Sequence, residues 1–214
     1  MKIDILTIFP EMFEKVFGTS IIGRATGTGL VDIKVHNLRD WSDNNYKSVD
    51  DRPFGGGAGM VMRVDVVDRA IQELKELRTL ELKTKVILLD TKGKMYNQKI
   101  AEVLKEEKHL ILIAPHFEGI DQRVHDNLVD EVYSIGPYVL SGGELPVMVV
   151  VDSIVRLLPG VLGNPESLAE ESYSDAFEVE YPQYTRPADY KGWKVPEILL
   201  LGDHKKIAEW RKGK

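Results

Sequence analysis

The sequence predicts an α/β domain built on a buried, largely parallel sheet, followed by a smaller C-terminal unit. Three short apolar runs lie in the middle of the chain and each is followed by a glycine: residues 86–89 before Gly93, residues 110–114 before Gly119 and residues 132–135 before Gly136. Such runs, alternating with helical patterns, are typical of strands covered on both faces. Hydrophobic residues make up 43% of the 214 residues, enough for a sizeable core.

The flanking segments supply the other elements of such a domain. Residues 3–8 alternate loosely before Phe9-Pro10 and predict a strand, and residues 30–36 predict a second one. Helical patterns cover four stretches: residues 11–18, 62–80, 96–107 and 144–158. Between them, residues 40–59 form a long irregular region rich in Asp, Asn and Gly, and loops of that length tend to be functional.

The C-terminal part differs in composition from the rest of the chain. We predict a main domain over residues 1–160, a linker over 161–172 and a small second unit over 173–214. From Arg186 onward there are eight basic and four acidic residues, a net charge of +4, which leaves −10 for the preceding residues. A catalytic body with a phosphate-contacting tail shows this asymmetry, and a solvated terminal helix explains it about equally well.

Several functional classes are excluded by composition and motif. The chain has no cysteine, which excludes disulfides, thiolate metal sites and cysteine nucleophiles and fits a reducing cytosol. Its most apolar segment, residues 145–162, is interrupted by Asp152, Arg156 and Pro159, so we expect a soluble protein and no membrane contact. The five histidines lack metal-ligand spacing, which argues against a fixed metal cage.

The glycines after the three apolar runs predict a binding pocket. Ligands of parallel sheets bind at the carboxyl ends of the strands, and glycine lets the backbone approach a ligand closely. The cluster at residues 55–59 fits neither the dinucleotide nor the P-loop pattern, which excludes NAD-binding and ATPase functions.

Six ordered segments carry a family resemblance. Residues 50–62, DDRPFGGGAGMVM, resemble the signature loop of bacterial tRNA (guanine-N1)-methyltransferases, which modify position 37 beside the anticodon. The other five segments are similar to the same family in the same order: FEGID at 117–121, SIGPYVLSGGELP at 134–146, PGVLG at 159–163, PQYTRP at 182–187 and VPEILL at 195–200. The resemblance extends from residue 1 to about residue 211.

The resemblance implies both a fold and a reaction. The fold would be an α/β, trefoil-knotted parallel-sheet methyltransferase domain of the SPOUT superfamily at residues 1–160, and residues 173–214 would form a short, mainly helical tRNA-binding domain. Without the resemblance, an open sheet would be expected, because chains rarely thread loops. The enzyme would be a cytoplasmic homodimer with a shared active site that methylates N1 of guanosine 37 in tRNA from S-adenosylmethionine, with a requirement for Mg²⁺.

Two catalytic residues follow from the resemblance. Guanine N1 carries a proton, so its methylation requires a base and a group that stabilises the shifting charge. The family's base is an aspartate, and Glu171 occupies the matching position, with Glu170 as the alternative and an ordinary linker carboxylate as the non-functional interpretation. Arg156 matches the arginine that stabilises the purine, although a helix pair with Asp152 would also explain it.

The resemblance also assigns binding residues. The cofactor set contains Leu88, Leu89, Gly93, Glu118, Gly119, Ile120, Ile135, Gly136, Tyr138, Val139, Leu140, Gly142 and Gly143. The substrate set contains Asp50, Arg52, Gly55, Gly56, Gly57, Gly59 and Arg186, and no residue is assigned to a metal. The chain departs from the family at Asp90-Thr91-Lys92, where Ser-Pro-Gln is usual, and at Pro115-His116-Phe117, where Gly-Arg-Tyr is usual.

The tail and two competing functions complete the prediction. Phosphate contacts are expected from the basic residues Arg186, Lys191, Lys194, Lys205, Lys206, Arg211 and Lys212. Trp193 and Trp210 could stack on bases, although core packing is the commoner use. The alternatives to the tRNA enzyme are a related knotted methyltransferase acting on another RNA and a non-catalytic RNA-binding module.

Overall fold

A five-stranded parallel sheet forms the centre of the first of two units, Met1–Gly163. The computed structural model describes residues 1–77, 83–164, 171–173 and 179–212. The strands, in the order β2-β1-β6-β5-β7 across the sheet, are β1 (Lys2–Thr7), β2 (Asp32–Asn37), β5 (Thr84–Met95), β6 (His109–Ile113) and β7 (Glu131–Ser134). All pairs in this sheet are parallel, which confirms the predicted α/β class.

The described residues of this unit contain six α-helices, five of them between strands and the last after β7. They are α1 (Glu11–Phe17), α2 (Ser20–Gly27), α3 (Val64–Glu76), α4 (Gln98–Leu104), α5 (Gln122–Asn127) and α6 (Glu144–Val155). The patterns at 11–18, 96–107 and 144–158 correspond to α1, α4 and α6. The helix predicted over 62–80 corresponds to α3, which is shorter at both ends. Residues 78–80 of the predicted range lie outside the described part of the chain. Two helices, α2 and α5, were not predicted.

The core lies on both sides of the sheet. All five residues of β6 are buried, as expected for a continuous apolar strand. On one face, α3 buries the five residues that its 3.6-residue period aligns: Val66, Val67, Ala70, Ile71 and Leu74. Helix α6 likewise has its inner side buried at Val147, Val150, Val151 and Ile154.

The glycine turn predicted at Gly93 is wrong, because β5 continues to Met95. Leu89 and Lys94 both pair with Tyr133 of β7, so residues 90–93 form an irregularity inside the strand. A Cβ at Gly93 would stand 2.6 Å from the backbone of Tyr133. The glycine is required by this close approach of two strands, a use of glycine that a sequence pattern does not distinguish from a turn.

The irregular region at 40–59 contains local structure that fixes its two ends. A 3₁₀ turn covers Leu38–Trp41, and a short antiparallel hairpin joins β3 (Asp50–Asp51) to β4 (Val61–Met62). The hairpin is bonded to the loop that follows β6, since Glu118 N donates to Met60 O at 3.0 Å and Met62 N to Gly119 O at 2.9 Å. The glycine loop therefore starts and ends next to that loop.

The second unit, Asn164–Lys214, contains a hairpin and two helices within its described residues. The hairpin pairs β8 (Asp189–Tyr190) with β9 (Trp193–Lys194), and the helices are α7 (Glu197–Leu200) and α8 (His204–Lys212). Lys191 and Gly192 have positive φ angles of 56° and 88°, the backbone of a tight two-residue hairpin turn. No helix in the described ranges is long and apolar enough to cross a membrane.

Removing the Asp121 side chain should destabilise α5 and alter the acid stability of the protein. Asp121 caps the helix by accepting from Arg123 N, and its carboxylate also accepts two bonds from the Arg123 guanidinium, at 2.9 and 2.7 Å. These bonds hold the pKa of Asp121 below its usual value. Such a group contributes stability above the carboxyl pKa of the unfolded chain, and the contribution is lost as pH falls through the lower folded value.

We expect Asp121→Ala to lower the free energy of unfolding by about 1 kcal/mol at pH 7, with the difference from wild type disappearing at acid pH. Urea unfolding from pH 7 to pH 3 measures this. Asp121→Asn, which keeps the capping oxygen, is the control. An equal loss in both variants at pH 7 would contradict a role of the cap.

Candidate active site at the carboxyl edge of the sheet

A pocket of about 380 Å³ lies at the carboxyl ends of three adjacent strands. Its walls are residues 89–92 of β5, residues 115–120 after β6, and residues 133–136 and 138–143 at the end of β7 and beyond. Val61 of β4 and Pro146 in the first turn of α6 complete the lining. The volume is in the range of small-ligand sites, and the location is where open α/β sheets bind their ligands.

Eleven of the thirteen residues predicted to bind the cofactor line this pocket. They are Leu89, Glu118, Gly119, Ile120, Ile135, Gly136, Tyr138, Val139, Leu140, Gly142 and Gly143. The two others do not. Leu88 is fully buried in the core beside α3, and Gly93 faces the backbone of β7.

The sequence interpretation did not assign the remaining lining residues to the site. They are Val61, Asp90, Thr91, Lys92, Pro115, His116, Phe117, Tyr133, Ser134, Ser141 and Pro146. Nearly all of these residues are sequence neighbours of residues that had been assigned to the cofactor site. They would have been found if each predicted cofactor-binding segment had been extended by a few residues. Val61 is different, because only the hydrogen bonds between β4 and residues 118–121 bring it to the pocket.

Backbone conformation shapes the pocket at two glycines. Gly119 has a φ of +129°, and no atom lies within 4 Å of the position that its Cβ would occupy. Gly143 is buried, and a Cβ there would stand 2.7 Å from Pro115 N and 2.8 Å from Ala114 Cα. Gly143 N also donates to Pro115 O at 2.6 Å. The loop after β7 therefore lies directly on the loop after β6.

Charged and polar groups line the pocket along with apolar ones. Asp90 Oδ1 accepts from Lys92 N at 2.9 Å, and Oδ2 lies 3.4 Å from His125 Nε2, a contact without hydrogen-bond geometry. Burial and the charge of Glu131 raise the pKa of Tyr133, so its phenol is neutral near pH 7 and can donate a hydrogen bond. Polar groups at fixed positions in a partly apolar pocket are typical of specific ligand sites.

The predicted catalytic residues do not line the pocket. Arg156 is partly buried and caps the C-terminal end of α6, whereas Gly143 and Pro146 lie at the N-terminal end. Glu171 belongs to the second unit and is partly buried. Next to it, Ser172 Oγ accepts from Glu180 N at 2.9 Å. The alternative base, Glu170, lies outside the described residues.

The predicted substrate residues divide between the two units. Asp50 is in β3, and Arg52 and the four glycines follow it in an exposed loop. The glycines have positive φ angles, from 74° to 132°, and a Cβ at Gly59 would overlap the Glu118 side chain. This contact brings the end of the glycine loop to the pocket wall. Arg186 is exposed in the second unit.

The fold and the pocket define an α/β protein with a pocket of small-ligand size at the carboxyl edge of its sheet. Sequence comparison supplies the family. The model of the tRNA (Guanine-1)-methyltransferase TrmD family matches residues 1–214. A tRNA (guanine-N(1)-)-methyltransferase of Dictyoglomus turgidum is 51% identical over 212 residues, which cover 99% of this chain and 84% of that protein. The enzyme of the same name from Brevibacillus brevis is 51% identical over 211 residues, covering 99% and 85%.

The chain therefore belongs to the tRNA (guanine-N1)-methyltransferase family and is an enzyme of that class. The family is S-adenosylmethionine-dependent. This confirms the predicted family and activity and excludes a purely RNA-binding module.

Proposed function

We propose that this enzyme transfers the methyl group of S-adenosylmethionine to N1 of guanosine 37 in tRNA. The observation that carries the proposal is the pocket formed by the motif-bearing loops after β6 and β7 together with residues 89–92 of β5, in a chain of this family. The proposal includes the position of the methylated guanosine, the cytoplasmic location, the roles of single residues, the knotted path of the chain and the homodimer.

The pocket residues suit S-adenosylmethionine. Apolar side chains such as Leu89, Ile120 and Ile135 provide contacts for a purine, and exposed backbone at Gly119 leaves room beside it. The carboxylates of Asp90 and Glu118 complement a ligand that carries a sulfonium and an ammonium group. The bound cofactor supplies an activated methyl group, so the chain has to align the acceptor and remove its proton.

A methyl group at residue 143 should reduce cofactor binding. In Gly143→Ala the added Cβ meets backbone atoms of residues 114 and 115, which cannot rotate away, so the two pocket loops must separate. We expect the dissociation constant for S-adenosylmethionine to rise about tenfold or more, with overpacking costing about 1–3 kcal/mol of stability. Calorimetric titration and thermal unfolding measure both. The control is Gly27→Ala, where no atom lies within 4 Å of the new Cβ, and equal cofactor affinity in the two variants would contradict the expectation.

Proton removal is assigned to Glu171. In the reaction, the N1–H bond of guanine breaks and its proton passes to the carboxylate, while N1 forms the new bond to carbon and the carbon–sulfur bond of the donor breaks. Arg156 stabilises the negative charge that moves toward O6 of the base. Both side chains have the charge that these roles require, and Glu170 is the alternative base.

The distance between Arg156 and the pocket supports a site shared by two subunits. Residue 144 begins α6 next to the pocket and Arg156 caps its other end. Twelve residues of helix span about 18 Å, more than an arginine side chain reaches. One protomer therefore does not bring its own Arg156 to its own pocket, and in a two-fold homodimer the partner would provide it.

Exposed apolar side chains support the same homodimer. Leu145 and Val149, one helical turn apart on α6, are 52% and 48% exposed. Met12 and Val16, also one turn apart, are each 42% exposed on α1, which packs against α6. Contiguous apolar surface of this kind is typical of protein interfaces.

The second unit is proposed to bind tRNA. Arg186, Lys191, Lys194, Lys205 and Lys206 are exposed and can reach phosphates. Trp193 is 73% exposed beside Tyr190, which suits base stacking better than core packing. Trp210 instead lies against Tyr184, with ring centroids 6.4 Å apart.

No mechanistic step is assigned to Mg²⁺. Among the described residues, no three His, Asp or Glu side chains lie close enough together to hold a metal ion. A hydrated Mg²⁺ needs only one or two carboxylates as protein ligands. The Mg²⁺ requirement that the family resemblance implies is therefore kept in the proposal, and Mg²⁺ is added to the assay.

The reaction is tested with methyl-labelled S-adenosylmethionine, Mg²⁺ and two tRNA transcripts that differ only in G37 or A37. We expect label in the G37 transcript alone, mapped to N1 by nuclease digestion. Label in both transcripts would refute the assigned position, and the absence of label in both would refute the proposed substrate.

The shared site is tested by mixing two deficient variants at a cofactor concentration below the dissociation constant of Gly143→Ala. Arg156→Ala and Gly143→Ala homodimers should each be deficient, but subunit exchange would create heterodimers with one intact site. Random exchange should restore about a quarter of wild-type activity. No recovery after exchange, verified by native mass spectrometry, would show that Arg156 and the pocket act within one subunit.

A further inference from the structure

The carboxylate of Glu144 is buried beside the pocket. Glu144 is the first residue of α6 and is only 2% exposed. A buried carboxylate requires hydrogen bonds or an opposite charge, because its transfer from water is costly otherwise. None of the proposed catalytic roles uses this residue, so its burial calls for a separate explanation.

Two side chains contact the two oxygens of this carboxylate, one from the end of β1 and one from the loop after β6. Thr7 Oγ, at the end of β1, lies 3.1 Å from Oε1, and it also accepts from Phe9 N at 3.0 Å. The hydroxyl therefore directs its proton toward Glu144. His116 Nδ1, from the loop after β6, lies 3.3 Å from Oε2. His116 is thus the one of the two partners that can carry a positive charge.

The imidazole of His116 is held in place by its surroundings. The ring of Phe9 packs edge-on against it, with centroids 4.9 Å apart, and the Phe117 ring does so at 5.5 Å. The backbone N of His116 lies 3.1 Å from Met62 Sδ. With 24% of its side chain exposed and a place in the pocket lining, His116 connects the pocket surface to the buried Glu144.

The loop after β7 passes over this pair at Gly142. A Cβ at Gly142 would overlap both Glu144 Oε2 and His116 Nδ1. The missing side chain therefore lets the loops after β6 and β7 approach each other at the point where the His116 and Glu144 side chains meet. Both loops line the pocket, so this contact and the bond from Gly143 N to Pro115 O fix their relative position.

We propose that His116 and Glu144 form a positioning pair that holds the two pocket loops in the geometry that binds S-adenosylmethionine. This inference rests on the proposed cofactor site. The pair acts through the loops, and neither side chain is assigned a proton transfer in the reaction. His116 stands where the family usually has arginine, which can also donate a hydrogen bond to a carboxylate.

The pair should be detectable as a coupled effect on cofactor affinity. We expect His116→Asn and Glu144→Gln each to raise the dissociation constant for S-adenosylmethionine about tenfold, while kcat at saturating cofactor changes less than about twofold. The double variant should bind no more weakly than either single variant. Multiplied effects in the double variant, or unchanged affinity in both single variants, would overturn the proposal.

The matched control is His36→Asn. His36 has the same side-chain exposure, 24%, and contacts a buried carboxylate, that of Asp4, at 2.7 Å. It is not among the residues that line the pocket. Its replacement should lower thermal stability without changing cofactor affinity. A comparable loss of affinity in this variant would attribute the effect at His116 to general destabilisation.

These outcomes are distinct from failure of the proposed function. If the wild-type enzyme neither binds S-adenosylmethionine nor methylates tRNA, the site itself is wrong. If the wild type does both and the His116 variants bind equally well, only the positioning pair is refuted.

Discussion

Replacing Glu171 by glutamine should lower the single-turnover rate of methyl transfer by about 100-fold or more, the usual contribution of a general base. The amide has nearly the same shape as the carboxylate but cannot accept the N1 proton of guanine. Cofactor affinity should not change, because Glu171 belongs to the second unit and all the described residues that line the pocket belong to the first. Rapid-quench assays with enzyme in excess measure the chemical step, and calorimetric titration measures cofactor binding.

The matched control is Glu170→Gln, one residue earlier in the same segment. If Glu171 is the base, this variant should retain a rate close to that of wild type. A 100-fold loss in Glu170→Gln with a normal rate in Glu171→Gln would reverse the assignment. Normal rates in both variants would refute a carboxylate base from this segment.

The second large effect concerns stability. Asp4 is fully buried in β1, and its two carboxylate oxygens contact His36 Nε2 at 2.7 Å and His109 Nε2 at 2.8 Å. His109 is also fully buried, and its Nδ1 lies 2.8 Å from Thr84 Oγ1. The network thus joins four adjacent strands, β2, β1, β6 and β5.

Asp4→Ala should lower the free energy of unfolding by about 3–5 kcal/mol, because two imidazoles lose a shared acceptor inside the sheet. Urea unfolding at pH 7 measures the difference. The control is Asp126→Ala on exposed α5, where one hydrogen bond from Gln122 at 2.9 Å is lost and the cost should stay below about 0.5 kcal/mol. Equal costs in the two variants would mean that the buried network adds no stability beyond that of a surface contact.

The main elements could be predicted from local sequence where one face or a whole strand is apolar. The run at 86–89 lies within β5, and the runs at 110–114 and 132–135 each extend one residue past the end of β6 and β7. The five apolar residues of α3 are buried as its periodicity requires. Helix α5 was missed because it has only six residues, of which one is buried. Helix α2 contains Gly23 and Gly27, and glycine disfavours helix formation, so its sequence does not indicate a helix. In α5 the useful signal was the N-cap residue Asp121, not periodicity.

Sequence reasoning grouped residues within single loops and did not detect contacts between loops. Glycines followed by motif residues identified the loops after β6 and β7, whose residues line the pocket. The interpretation of Gly93 as a turn failed because its environment, the backbone of Tyr133, belongs to another strand. Val61 and the Glu144–His116 contact were also missed, since residues separated by 28 or more positions approach each other only in the folded chain.

The sequence by itself determined the class of fold, the family and the identity of the glycine-containing loops. The fold class, the family and these loops can be identified from residues close together in the sequence, because hydrophobic periodicity and motif spacing are local patterns. The tertiary structure decided which loops form one pocket, which side chain meets the buried Glu144, and that Arg156 lies at the far end of α6 from the pocket. These distances depend on the order of the strands in the sheet. The apolar pattern of one strand is compatible with several different neighbouring strands, so strand order is determined only by the packing of the whole sheet.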